Sequence, residues 1–184
     1  EHKEAGVNDG VLMSSRDGLH WVRWLEGFLR PGPDPLRWTD RNNYIAWGLA
    51  QTSPDELSLY WTEHYRYPTS RLRRGTLRTD GFVSVGAGAP GGALLTRPFT
   101  FTGKRLVVNY DTSAAGSVRF ELCTEAGEPC EGFAMVDSEQ LYGSEIAHEV
   151  KWTKGSDLIA LAGKPIRLRV RLKDADLYSF RFAE

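Results

Sequence analysis

Two things are scarce in this chain of 184 residues: cysteine, of which there are two, and any excess of charge of one sign. The 23 Lys and Arg stand against 24 Asp and Glu, and the balance is also local, with 11 of each in residues 1–80 and then 12 basic against 13 acidic. No broad basic field exists to hold a phosphate backbone or an anionic bilayer, so neither nucleic acid nor membrane is expected as a partner. No apolar run approaches the roughly 20 residues that cross a bilayer as a helix. No signal peptide is read in the sequence. The chain begins at Glu1 without a methionine, as expected of a processed, trimmed or excerpted product.

The scarcity of cysteine excludes more. Cys123 and Cys130 lie in "ELCTEAGEPCEGF". That spacing is wrong for a CxxC redox pair, and no second pair exists for structural zinc. The intervening "TEAGEP" is turn-like, and a strand on each side would bring the two Cα atoms close. A Cys123–Cys130 disulfide is therefore expected, which would suit a secreted or periplasmic protein. The alternative is two reduced thiols. The four histidines, His2, His20, His64 and His148, show no HxH or HExxH spacing, and "HKE" at 2–4 is too little for a metal site. No metal ligand is assigned. Carboxylates in "KDADLY" (173–178) and "AMVDSE" (134–139) leave calcium conceivable, with solvated turn carboxylates as the simpler reading.

What the sequence does have is turn punctuation and short apolar runs. Its 19 Gly and 9 Pro are scattered between stretches rich in Val, Leu, Phe, Tyr and Trp, an all-β signature. "GVLMSS" (10–15) and "LHWVRWLEG" (19–27) read as strands about a turn with Asp-Gly at its centre. "LRPGPDPLRWTDRNN" (29–43), with three prolines and a glycine, must be an ordered loop. "YIAWGLAQT" (44–52), "ELSLYWTEHY" (56–65) and the alternating pair in "RLRRGTLRTDGFVSVGA" (71–87) complete a meander of about six strands. "GAGAPGG" (86–92) lacks GK[ST] and a following helix, so it is read as a linker, not a phosphate loop.

The boundary is placed there, giving units 1–87 and 88–184. The second half reads as seven short strands: 93–102, 105–113, 117–124, 131–137, 148–153, 166–174 and 177–182. Alternation is clean in "IRLRVRL", with Ile166, Leu168, Val170 and Leu172 inward and Arg167, Arg169 and Arg171 outward. One short helix is expected over "SDLIALAGK" (156–164), capped by Ser156 and stopped by Gly163. The expected fold is all-β: a jelly-roll-like antiparallel β-sandwich preceded by a β-meander.

"SSRDGLHW", a serine and then Asp-Gly and an aromatic on a hairpin, resembles a blade turn of the five-bladed β-propeller glycosidases. With "NNYIAWG" and "SLYWTEHYR", the first half resembles the last blade of such a propeller. The stretch from Gly143 to Phe182, ending in "KDADLYSFRF", resembles the β-sandwich that follows the propeller in fructan-hydrolase-like proteins. The resemblance covers almost the whole chain. It implies a secreted carbohydrate-active protein. A full five-bladed propeller needs about 300 residues, and the early blades that carry the family's nucleophile have no counterpart. The chain is therefore expected to be a fragment of a larger protein or a shortened, self-contained one.

Candidate chemistry gathers in the first half, which holds five of the six tryptophans. Aromatic rings stack on the apolar faces of sugars while polar neighbours bind the hydroxyls. "RWTDRNNY" and "YWTEHYRY" supply that mixture, so Trp38, Arg41, Asn43, Tyr44, His64, Tyr65 and Arg66 are the expected ligand-binding residues. Most single aromatics, Trp47 and Tyr60 among them, are expected to fill the core, with Trp38 and Tyr65 exposed. A glycosidase needs two facing carboxyls. Glu63, beside His64, is the candidate general acid, with Asp9 or Asp40 as its partner, whereas Asp17 suits a turn. The arginines of "RLRRGTLR" suit a solvated or paired face, with an anionic sugar or sulfate site as the alternative.

Three functions are compatible with this. The first is a non-catalytic module that binds a polysaccharide or oligosaccharide. The second is a glycoside hydrolase or a piece of one. The third is a structural element that could form a homodimer through an exposed sheet.

Overall fold

The structure is a computed structural model that describes residues 6–184; the "HKE" motif at 2–4 lies outside them. The fold is all-β: about half the chain (52%) is strand, and among the described residues no helix reaches seven residues. The chain divides into two compact units, one ending at Arg78 and one spanning Thr79–Glu184.

The first unit holds two sheets where the sequence suggests one meander. β1 (Gly10–Ser15) and β2 (Trp21–Leu29) form a hairpin. Its turn is built as "SSRDGLHW" suggests. Asp17 accepts from the amides of Leu19 (2.9 Å) and His20 (2.8 Å), and its other oxygen meets His20 Nδ1 at 2.6 Å. These bonds, the His20 amide first, hold the Asp17 carboxyl far below the usual range, so it is a turn residue. β3 (Ala50–Ser53), β4 (Glu56–Glu63) and β5 (Arg71–Arg78) form a three-stranded antiparallel sheet. The strand expected over 44–52 shrinks to β3 plus an isolated bridge from Ile45 to Trp61, because Gly48 takes a left-handed backbone (φ 94°) that ends pairing.

The second unit is a curled, half-barrel antiparallel sheet. Two strands dominate it: β8 (Arg105–Thr124) and β10 (Ile166–Ala183) pair along their whole lengths. β9 (Ser144–Glu149) flanks β8, whereas β6 (Val85–Ala87) and β7 (Gly92–Leu95) share the far edge of β10. Each long strand is read in sequence as two short ones. A bulge, not a hairpin, separates the halves: Lys173 pairs with Ser117, but Ala175 already pairs with Thr112. Asp174 takes a left-handed backbone there (φ 44°). Gly116 is the residue that lets the strands pass, since a Cβ on it would lie 2.2 Å from the Asp174 carbonyl oxygen.

The bulge also explains the core. Leu106, Val108, Tyr110, Val118, Phe120, Leu122, Ile166, Leu168, Val170 and Leu172 all point inward at even positions. Past Asp174 the inward set of β10 becomes Ala175 and Leu177, at odd ones. Each such side chain, fully buried, contributes about 1.5–3 kcal/mol.

The other side of this core is closed by residues 129–163, and here three expectations fail. The strand over 131–137 is instead a run of turns held by bridges such as Ser138 to Trp152. The strand expected at 148–153 begins four residues earlier, as β9. The helix over 156–164 is one 3-10 turn, Ile159–Leu161, because Ser156 Oγ donates to Glu149 (2.9 Å) instead of capping.

The unit boundary falls at Arg78/Thr79, nine residues before the expected 87/88 division. Thr79 O accepts from buried Asn109 (2.7 Å) and Asp80 from Ser179 (3.1 Å), so β6 belongs to the second unit and does not pair with β5.

The disulfide is not formed. Cys123 and Cys130 are both free and buried. The expected hairpin does exist, with the Cys130 amide bonded to Leu122 O at 2.8 Å. It fails to join them because strand alternation points them to opposite faces. Cys130 packs in the core with Leu122, whereas Cys123 sits 3.3 Å from Glu121 on the other face.

Candidate functional site

The Pro-rich loop of the first unit is ordered by its own side chains. Asp34 caps the 3-10 turn Pro35–Arg37 by accepting from the Leu36 amide (3.0 Å), and Pro35 suits the first position of that turn. The cap aims Arg37 inward. Its Nε donates to Asn43 Oδ1 (3.0 Å), Nη2 donates to Arg30 O (3.0 Å) and Nη1 lies 3.4 Å from Glu63 Oε1.

Two buried asparagines then fix the backbone. Asn42 Nδ2 donates to Thr39 Oγ1 (2.6 Å), and its Oδ1 accepts from the Tyr65 amide (3.1 Å). Asn43 Nδ2 donates to Asn8 O (2.8 Å), and its amide donates to Thr62 O (2.8 Å). Arg41, Asn43 and His64 all have left-handed backbones, with φ of 59°, 60° and 56°. For a non-glycine residue that conformation is costly unless its surroundings hold it.

At the end of β4 Glu63 is 3% exposed and fully engaged. Trp61 Nε1 donates to Oε1 (3.1 Å), Arg71 Nε donates to Oε2 (2.9 Å), and Arg71 Nη2 lies 2.9 Å from that same oxygen as an ion pair. Burial pushes the Glu63 carboxyl up, but Arg71, Trp61, Arg37 and Arg73 outweigh it and hold it below the usual range. A general acid needs the opposite, a raised carboxyl that keeps its proton. His64 is likewise spent, with Nε2 2.7 Å from Asp34 Oδ2 and Nδ1 2.9 Å from Thr69 Oγ1. The His64 contact and then the Leu36 amide lower the Asp34 carboxyl.

Outside this frame the groups face solvent. Arg66 grips Asp40 with two prongs, Nε to one oxygen and Nη2 to the other, and the Asp40 contact raises Arg66 further. The Arg41 guanidinium lies 5.2 Å over the Tyr65 ring and donates to its hydroxyl (2.8 Å). Trp38 and Tyr44 are each 55% exposed and Tyr65 is 42% exposed. Trp38 is held in place by its Nε1, which donates to Gly32 O at 2.7 Å.

Most of the residues singled out in the sequence thus share one polar network or adjoin it: Trp38, Asp40, Arg41, Asn43, Tyr44, Glu63, His64, Tyr65 and Arg66. Asp9 is apart. It sits on the β1–β2 hairpin, 3.1 Å from where a Cβ on Gly27 would lie, and makes no hydrogen bond or ion pair with Glu63. Sequence reasoning passed over Asp34, Arg37 and Asn42. A signal existed for the first, since Asp-Pro is a start mark for a capped turn. Trp47, expected in the core, is fully exposed, and Trp21 and Trp24 on β2 are exposed too. Tyr60, the other aromatic expected in the core, is half-buried, and it is its neighbour Trp61 that is buried.

Compared with known protein families, with curated proteins and with solved structures, the chain matches none. Among the described residues no group of three or more His, Cys, Asp or Glu is placed to hold a metal ion. Of the carboxylates considered for calcium, Asp176 accepts from Ser84 Oγ (2.6 Å) and Glu139 from the Lys151 amide (2.7 Å). No helix among these residues is long and apolar enough to cross a membrane.

Proposed function

We propose that the first unit is a non-catalytic carbohydrate-binding surface formed by Trp38, Asp40, Arg41, Tyr44, Tyr65 and Arg66. The observation that carries it is the pairing of exposed, pinned aromatics with donors and acceptors that do not need to be ordered on binding. Trp38 is anchored to Gly32, Tyr65 lies under Arg41, and Asp40 and Arg66 are locked together. A sugar needs an apolar platform with directional polar groups beside it, and a surface already rigid loses little entropy on binding. Glu63, held ionised in the frame below, is read as the element that positions this surface, and the glycosidase reading loses its general acid. The disulfide that suggested export is not formed, so secretion or a periplasmic location rests on the carbohydrate reading alone.

The test measures retention and chemistry together. Affinity electrophoresis through gels containing plant and microbial polysaccharides is paired with a reducing-sugar assay. Retention without sugar release, reduced about tenfold by Tyr65→Ala or Trp38→Ala with an unchanged circular dichroism spectrum, is expected; tenfold corresponds to about 1.4 kcal/mol, in the range of one stacked ring. Release of sugar would restore the hydrolase reading.

The β1–β2 hairpin favours a second reading, a structural module that self-associates. Leu19, Trp21, Val22 and Leu25 are all exposed, Leu25 at 91%, and a two-stranded sheet that leaves such side chains exposed is marginal alone. Sedimentation equilibrium decides it: a dimer that Trp21→Ser with Leu25→Ser converts to monomer supports this reading, and a monomer at all concentrations removes it.

A further inference from the structure

The charge of the candidate surface is not that of the chain. Arg37, Arg71 and Arg73 act on Glu63 in the frame and Arg41 and Arg66 on Asp40, so with Asp34 there are five guanidiniums to three carboxylates, on a chain of net charge −1. The carboxylates are all committed. Asp34 serves His64 and the Leu36 amide, Asp40 serves Arg66, and both Glu63 oxygens serve Trp61, Arg71 and Arg37.

Arg73 is the guanidinium left over. On β5 it shares a face with Arg71, two residues away, and lies directly across from Trp61, whose indole packs over Gly75. Its charge is felt at Glu63, yet it is exposed and makes no hydrogen bond or ion pair with any described residue. A guanidinium's donors form a fork that matches a carboxylate or sulfate with two parallel bonds, and beside an indole wall that match is partly shielded from water. Arg41 is the second source of open donors: Nη1 goes to the Tyr65 hydroxyl and Nε lies 3.9 Å from Asp40 Oδ2, which leaves Nη2 on a side chain that is 56% exposed.

We infer that the saccharide taken by this surface is acidic, carrying a carboxylate or sulfate on its rings, and that Arg73 binds that oxyanion, with Arg41 reading a second one. This rests on the carbohydrate reading above and names its ligand class.

The experiment uses the intact chain and matched pairs of polymers that differ only in charge: polygalacturonate with its methyl ester, and heparin with its desulfated form. Double-stranded DNA serves as a polyanion without sugar acids. Binding is measured by calorimetry at about 50 mM and about 200 mM salt, across which exposed ion pairs weaken. Expected is at least tenfold tighter binding of one polymer than of the partner that lacks its oxyanion (the methyl ester for carboxylate; for sulfate the desulfated form, which keeps its carboxylates), weakened by salt. Arg73→Gln should bring that affinity down to the level of the partner, and Arg73→Lys should recover part of it. The pair that responds tells carboxylate from sulfate.

Equal binding of charged and neutral partners, unchanged in Arg73→Gln, would overturn the inference and leave the carbohydrate reading standing. Preference for a charged polymer that Arg73→Gln does not alter would overturn the role of Arg73. Equal retention by DNA would mean a general polyanion surface and overturn the ligand class. Binding to none of the five, together with none to the neutral glycans above, would remove both readings.

Discussion

Arg71 Nε donates to one oxygen of Glu63, with its Nη2 2.9 Å from the same oxygen, directly across the β4–β5 ladder, while Trp61 and Arg37 sit at the other oxygen. The carboxylate is thus a hub joining the three-stranded sheet to the Pro-rich loop. Glu63→Ala would strand the buried Arg37 and the Trp61 indole. Breaking a buried pair costs about 3–5 kcal/mol, and the half-exposed Arg71 brings the expected loss nearer 2 kcal/mol. Urea unfolding followed by tryptophan fluorescence measures it. Because the Glu63 carboxyl is lowered in the folded state, its contribution is present above the ordinary glutamate range near pH 4.5 and is lost as pH falls below that. The stability gap between wild type and Glu63→Ala should therefore be full at neutral pH and shrink as pH falls below about 4.5, with the two proteins converging in stability at the acid end.

Gly75 supports the same hub from beneath. A Cβ there would lie 2.4 Å from Trp61 Cζ3 and 2.7 Å from Cη2, and the ring cannot tilt away without leaving Glu63. Gly75→Ala is expected to destabilise the first unit by about 1–3 kcal/mol, the usual range for overpacking. An unchanged unfolding midpoint would show that the indole has another place to go.

The second unit carries a pH-sensitive contact. His148 lies between Glu145 and Glu139, each 3.0 Å from one ring nitrogen, with the Tyr110 ring edge-on at 5.9 Å. Burial pushes His148 down, but the two carboxylates outweigh it and raise it above the ordinary histidine value of 6.5. A raised folded value means that the stabilisation is complete below about pH 6.5 and is lost as pH rises through the folded value. Thermal unfolding at pH 6 and pH 8 should show a higher Tm at pH 6, and His148→Gln should flatten that difference. A difference that persists in the variant would place the titration elsewhere.

Gly116 is expected to be the least replaceable glycine of the long strand pair. Its neighbour is the Asp174 carbonyl, backbone that cannot rotate aside. Gly116→Ala should cost at least the upper end of the roughly 1–3 kcal/mol typical of overpacking, because relief requires the bulge itself to open. Hydrogen exchange at Lys173 and Ala175 would report the opening before global unfolding.

The two thiols should be silent in the folded protein. Burial and then Glu121 push Cys123 up to about 11, and burial raises Cys130. The thiolate is the reactive form, so a disulfide-exchange reagent should titrate no thiol at pH 8 in native conditions and two after unfolding without reductant. A count of zero after unfolding would mean that the disulfide forms despite the opposed faces.

The all-β class and the core of the second unit were legible because they rest on alternation, which the polypeptide carries residue by residue. Ile166 to Leu172 face inward and the arginines between them outward, as the pattern requires. The "SSRDGLHW" turn was legible for the same reason, since Asp17 bonds only within its own turn. Most residues of the candidate surface were also named from the sequence, because aromatic and polar residues interleave around Trp38 and Tyr65. Tertiary structure decided what depends on partners far along the chain. It joined four expected strands into two by setting Asp174 against Gly116, and it moved the unit boundary by pairing β6 with β10. It also parted the cysteines onto two faces and turned Glu63 from a candidate acid into an ionised hub by bringing Arg37 and Arg71 to it. Periodicity is local and survives in the sequence. A bulge, a face or a charge partner is fixed only when distant strands meet, and burial then makes that meeting strong enough to govern the chemistry.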